Sequence, residues 1–136
     1  MEVSKELERI IENLRRELNV KAVILFGSRA RGDWKPWSDF DLLVIADFKE
    51  KYLDRFVKLM EIVGDIPLPI EFHPYTLGEA IEMLKKCNPL IVDALEEGIV
   101  LYSTTEISKL FEAYEELKKR GLKRTETTIV IPSETS

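Results

Sequence analysis

The chain has 136 residues, 45% hydrophobic and 33% charged, which suits one compact domain around one core and leaves little room for a second. A net charge of −5 argues against extensive nucleic-acid binding, which places a basic face against many phosphates, although a local basic patch stays open. The first residues lack the charged-then-apolar pattern of a leader, and no apolar run approaches the ~18 residues that suggest a membrane span, so a soluble cytoplasmic protein is expected.

Val3, Leu7, Ile10, Ile11, Leu14 and Leu18 recur at helical spacing, predicting an amphipathic helix over 3–18 with one buried stripe. "KAVILFG" follows as a continuous apolar run ending at Gly27, the pattern of a strand covered on both faces. Residues 28–38 are polar and hold Gly32, Pro36 and two tryptophans; a helical turn near Ser28 must break before Pro36. "FDLLVIA" reads as a second strand with Asp39 and Asp41 at its start.

Tyr52, Leu53, Phe56, Leu59, Met60 and Val63 predict a helix ended by Gly64 and the Pro67–Pro69 pair. "IEFH", residues 70–73, is a short strand near an edge, since it lies between Pro69 and Pro74. Thr76 and Glu79 have capping-box spacing for a helix reaching about Lys86, and Asn88 with Pro89 starts another that Gly98 stops. "IVLY", 99–102, adds a further strand. Ser103 and Glu106 repeat the capping-box spacing ahead of a last helix through Leu117, closed by Gly121. Residues 123–136 have no period and are rich in Thr and Ser, and are expected to be a mobile tail or to pair only with a partner. Cys87, the single cysteine, has no disulfide partner within the chain and no zinc pattern beside it, and reads as a small buried apolar residue. This order defines an α/β (α+β) domain with helices packed on a short mixed sheet.

The chemistry concentrates in "GSRARGDWKPWSDFDL". Gly27 allows a sharp turn and close approach of a ligand, and Ser28 offers a hydroxyl and free N–H groups at a helix start, a setting for phosphate; an ordinary turn is the plain alternative. The Gly27–Gly32 spacing is not a Walker loop, because Asp33 and Trp34 stand where Lys and Ser/Thr are required. Asp39 and Asp41 share one strand face with Cα atoms about 6.5 Å apart, so their carboxylates can hold a divalent cation or stand solvated at the strand start. Two like charges beside the apolar "LLVI" favour the cation.

Gly27-Ser28-x-Ala30-Arg31-Gly32 followed by Ser38-Asp39-x-Asp41-Leu42 resembles the signature of the DNA polymerase β-like nucleotidyltransferase superfamily, and the short chain resembles its minimal nucleotidyltransferase (MNT) group. The resemblance implies the nucleotidyltransferase fold in one domain over 1–122. It also implies that Gly27, Ser28, Arg31 and Ser38 bind nucleotide and that Asp39 and Asp41 hold two Mg²⁺ ions, with Mn²⁺ an alternative. The superfamily adds a third carboxylate from a neighbouring strand. Here the candidate is Glu71, as metal ligand or general base, against the reading of an exposed strand residue; it is one methylene longer than the usual Asp. His73 shares the strand face of Glu71 and reads as a surface or hydrogen-bonded histidine or as a site residue. Arg29 reads as a phosphate support or a solvated arginine, and Trp34 and Trp37 as packing anchors or base-stacking platforms.

The implied activity is Mg²⁺-dependent transfer of a nucleoside monophosphate, AMP from ATP by family habit, to a hydroxyl, with pyrophosphate released. The implied partner is a small helical HEPN protein whose tyrosine is the acceptor, since the chain is too short for a large acceptor-binding region. The contrasting reading is a nucleotide-binding antitoxin or regulator that works by masking its partner. An antibiotic-modifying relative would require a larger substrate domain. A homo-oligomer stays open, and no membrane role is implied.

Overall fold

The computed structural model describes residues 5–124 and 129–132. Helix α1 (Lys5–Glu17) is followed by β1 (Val20–Phe26), a single turn α2 (Ser28–Arg31), β2 (Phe40–Ala46), α3 (Tyr52–Val63) and β3 (Ile70–Tyr75). Then come α4 (Leu77–Lys85), α5 (Pro89–Glu97), β4 (Ile99–Ser103), a 3₁₀ turn (Thr105–Ile107), α6 (Ser108–Lys119), β5 (Lys123–Arg124) and β6 (Ile129–Val130). The main sheet has the order β3-β2-β1-β4, with β1 antiparallel to β2 and β4 and β2 parallel to β3, so it is mixed.

The continuous apolar run of β1 is explained by helices on both sides. Ala22, Ile24, Phe26, Leu43 and Ile45 pack with Leu84, Ile91, Ala94, Leu110 and Tyr114 from α4, α5 and α6. Val23, Leu25, Leu42, Val44 and Phe72 pack with Leu7, Ile10 and Leu14 of α1 and Leu59 of α3. A strand buried on both faces has no polar side to alternate with. Lys21 is the exception: it is buried in β1 with its ammonium 2.8 Å from Glu106 and 3.6 Å from Asp47. The hydrogen bond to Glu106, reinforced by the nearby Asp47 charge, raises its pKa despite the opposing effect of desolvation.

Arg55 ties α3 to the far end of β3 and to α4. Its guanidinium donates to both Glu79 carboxylate oxygens, at 2.7 and 3.0 Å, to the Pro74 carbonyl at 3.1 Å and to the Glu50 carbonyl at 3.0 Å. Glu79 completes the Thr76 capping box at the same time, so one carboxylate fixes the start of α4 and receives the buried cation.

Three expectations are corrected. Ser103 ends β4 and caps nothing; Thr104 leads into the 3₁₀ turn and donates to the Lys21 carbonyl, while Glu106 is drawn to the Lys21 ammonium. Cys87 is half-buried and has a positive φ of 56°. It ends α4 in a Schellman arrangement, its N–H donating to the Leu84 carbonyl and the Asn88 N–H to that of Met83, a place that glycine commonly takes. Trp37 is 78% exposed and is no packing anchor. In the expected tail, Lys123–Arg124 and Ile129–Val130 pair antiparallel, and 125–128 and 133–136 lie outside the described residues. No helix among the described residues is long and apolar enough to cross a membrane.

Candidate active site

β1 ends at Phe26 where β2 and β3 begin, because β2 returns antiparallel to β1 and β3 runs parallel to β2. Register then sets Asp41 opposite Phe26 on one side and opposite Glu71 on the other, with Leu43 opposite His73. Paired residues of neighbouring strands share a face, so Asp41, Glu71 and His73 project together from the face that carries Phe26. One ligand atom from each of the three lies within 4.8 Å of the others. His73 Nε2 is 3.2 Å from Asp41 Oδ1, with the side chains 14% and 24% exposed. The Phe26 ring stands 5.0 Å from the imidazole at 58° and limits its movement. Among the described residues, no Lys or Arg forms an ion pair with Asp41 or Glu71.

Gly27 seals one side of this cluster. Its φ of 75° and ψ of −159° lie where residues with a side chain are strained, and a Cβ there would stand 2.5 Å from Asp41 Oδ2. The glycine therefore both turns the chain out of β1 and makes room for the carboxylate. Ser28 begins α2, whose backbone closes through Ala30 and Arg31 N–H donation to the Gly27 carbonyl and Gly32 donation to Ser28. The N–H groups of Ser28 and Arg29 precede the first such bonds, as in any helix start.

The remaining expected residues are placed as follows. Asp39 is exposed and lies one residue before β2, whose first residue, Phe40, donates to the Pro69 carbonyl at 2.8 Å. Its oxygens are not among the ligand atoms clustered with Asp41. Ser38 Oγ accepts from the Lys35 N–H at 2.9 Å, closing a turn in the loop. Arg31 reaches away to Glu97, 3.2 Å, and Asp33, 3.3 Å; the Glu97 hydrogen bond, with help from Asp33, raises its pKa against desolvation. It links α2 to α5.

Arg29, weighed from sequence as a phosphate support or a solvated arginine, holds the loop. Its Nε and Nη2 donate to the Ser38 carbonyl at 3.1 and 2.9 Å, and the guanidinium stacks on Trp34 and Phe40 with 4.5 and 4.4 Å to the ring centroids. The one sequence signal was an arginine flanked by aromatic residues across a polar loop. For His73 it was the two-residue step from Glu71, which puts both on one face. Two carboxylates and an imidazole suit a divalent cation, although Glu71 is exposed, the alternative weighed for it from sequence, and water reaches its carboxylate.

The sequence matches the nucleotidyltransferase domain family over residues 7–119, and the chain belongs to that family. It is a nucleotidyltransferase by this match. It is 28% identical over 102 residues to a Methanocaldococcus jannaschii protein named "Putative protein adenylyltransferase MJ1379", covering 73% of this chain and 93% of that one. It is 27% identical over 114 residues to the "Bifunctional uridylyltransferase/uridylyl-removing enzyme" of Pseudomonas entomophila, covering 82% of this chain but only 11% of that protein. In fold it is similar to a structure described as "Crystal structure of the toxin-antitoxin with AMP-PNP", with TM-score 0.56, 21% identity and coverage of 85% and 89%. A second, "tri-AMPylated Shewanella oneidensis HEPN toxin in complex with MNT antitoxin", gives TM-score 0.51, 19% identity and coverage of 85% and 86%.

Proposed function

We propose that this protein transfers AMP from ATP to a hydroxyl group, the phenol of a tyrosine on a HEPN-type partner. The observation that carries the reading is the placement of Asp41 and Glu71 on one face against the Gly27–Ser28 turn, within a chain of the nucleotidyltransferase family. The toxin–antitoxin structures of the same fold, one with an ATP analogue and one with an AMPylated HEPN protein, support the choice of nucleotide and partner.

In this reading the hydroxyl oxygen bonds to the α-phosphorus, the α–β phosphoanhydride bond breaks, and pyrophosphate leaves. Gly27 lets the phosphates approach the backbone, and Ser28 supplies its hydroxyl and the N–H groups at the start of α2. Arg29 holds the loop that carries Ser38 and Asp39, while Arg31 braces that loop through α5. Asp41 and Glu71 are the residues that would hold Mg²⁺, and Asp39, a ligand by the resemblance, lies outside their cluster and would have to move to join them for the implied pair of ions. Such cations supply charge neutralisation at the phosphates and a lower pKa for the attacking hydroxyl. Glu71 accepts the hydroxyl proton.

The test is transfer of label from α-labelled ATP into the proteins of a native lysate, comparing the wild type with Asp41→Ala. A small protein labelled by the wild type alone is expected. Equal labelling by Asp41→Ala would sink the mechanism. The exposed place of Asp39, outside the cluster, favours a second reading: a nucleotide-binding antitoxin of weak activity that masks its partner. It is distinguished by ATP binding and partner capture without label.

A further inference from the structure

We infer that His73 is itself a metal ligand: its Nε2, with Asp41 and Glu71, forms a mixed nitrogen–oxygen site that takes a first-row transition dication in preference to Mg²⁺. The inference builds on the proposed reading of Asp41 and Glu71 and changes the chemistry of the site. The metal ligands read from sequence, Asp39, Asp41 and Glu71, were all oxygen donors, whereas the three residues brought together here include an imidazole.

The distance fits shared coordination. Two ligands about 2.1 Å from one ion, at right angles, stand about 3.0 Å apart. His73 Nε2 and Asp41 Oδ1 are 3.2 Å apart. A weak hydrogen bond has the same length, so the surroundings decide between the two. The imidazole comes from a strand whose register places it one two-residue step beyond Glu71, on the same face, and its ring is held by Phe26 at 5.0 Å. It is thus a held donor 3.2 Å from the Asp41 carboxylate, with one oxygen of the exposed Glu71 within 4.8 Å. An ion here would take the Nε2 lone pair with the ring proton on Nδ1, whereas without an ion Nε2–H donates to the Asp41 carboxylate.

Oxygen-only sites suit Mg²⁺, while an imidazole donor raises affinity for transition ions. The site is therefore expected to discriminate against Mg²⁺ more strongly than a set of three carboxylates does.

Because the chain has only one histidine, the test can be free of ambiguity about which nitrogen is seen. Tag-free protein is loaded with Mn²⁺ alone, without nucleotide, and pulsed electron paramagnetic resonance reads nitrogen coupling to the ion. Coupling from a single imidazole is expected, changing to the ¹⁵N pattern when the protein is grown with ¹⁵N-histidine. This arm needs no variant and so does not depend on a substitution folding. His73→Gln is expected to abolish the coupling and to weaken Mn²⁺ binding on the order of tenfold or more, with a smaller loss for Mg²⁺.

Bound Mn²⁺ without histidine coupling, or equal losses for the two ions, would overturn the inference and leave His73 as a hydrogen-bond partner that orients Asp41. Failure of AMP transfer with the coupling present would instead count against the proposed function while the metal site stood.

Discussion

Replacing Gly27 by alanine tests whether the turn after β1 exists to make room for Asp41. The backbone there, φ 75° and ψ −159°, lies in a region used almost only by glycine, and holding another residue in it costs about 1–3 kcal/mol. The new Cβ would stand 2.5 Å from Asp41 Oδ2 and 3.3 Å from its Cγ, so the carboxylate must swing aside and give up its 3.2 Å contact with His73. Losing that contact adds about 0.5–1.5 kcal/mol, since a partly exposed carboxylate recovers water. The sum, about 1.5–4.5 kcal/mol, is a large share of the roughly 5–15 kcal/mol that holds a domain together, and each kcal/mol lowers Tm by about 4 °C at this chain length. Urea unfolding in the presence of a chelator measures the stability term, and Mn²⁺ titration of the folded variant measures the site. Both are expected to fall. A variant within about 0.5 kcal/mol of wild type, with unchanged Mn²⁺ affinity, would refute the close-packing argument.

Further expectations concern the frame. Gly98→Ala places a Cβ 2.1 Å from the Ala94 carbonyl oxygen and 2.5 Å from Ile24 Cγ2, and is expected to cost about 1–3 kcal/mol in urea unfolding. Gly78→Ala, on α4 with nothing within 4 Å, is the control and is expected to be neutral or to stabilise by up to about 1 kcal/mol. Cys87→Gly should be more stable than Cys87→Ala by about 1 kcal/mol, because both lose the thiol but only glycine relieves the φ of 56°. The Arg55 hydrogen bonds hold Glu79 below its ordinary value of 4.5, so its contribution to stability is full above that value and is lost as pH falls through the depressed one. Chemical unfolding across acid pH is expected to show this loss in the wild type and a shallower dependence in Glu79→Gln.

Elements with strong local signals were legible without the fold. The stripe of Leu7, Ile10 and Leu14, the reciprocal Thr76–Glu79 cap, and the apolar runs of β1 and β2 all arise from residues near each other in the chain. Ser103 and Glu106 have that same spacing but were claimed by Lys21 and its neighbours, because a buried ammonium outcompetes an exposed helix start for the carboxylate. Local pattern sets what a segment can do, and long-range partners decide which option is taken.

The site divides along the same line. The sequence alone determined the kind of chemistry: a glycine–serine turn, two arginines and closely spaced carboxylates belong together in a nucleotidyltransferase, and the family match agrees. Tertiary structure decided which side chains meet. Sheet order and the parallel register of β2 and β3 bring Asp41, Glu71 and His73 to one point although 32 residues separate Asp41 from His73. Asp39, two residues from Asp41, stays outside because the ladder begins only at Phe40, and Arg29 and Arg31 turn to the loop and to α5 for partners that the folded chain alone supplies. Proximity along a chain limits a side chain's reach, whereas a strand pair fixes its direction, and direction selects the residues that converge.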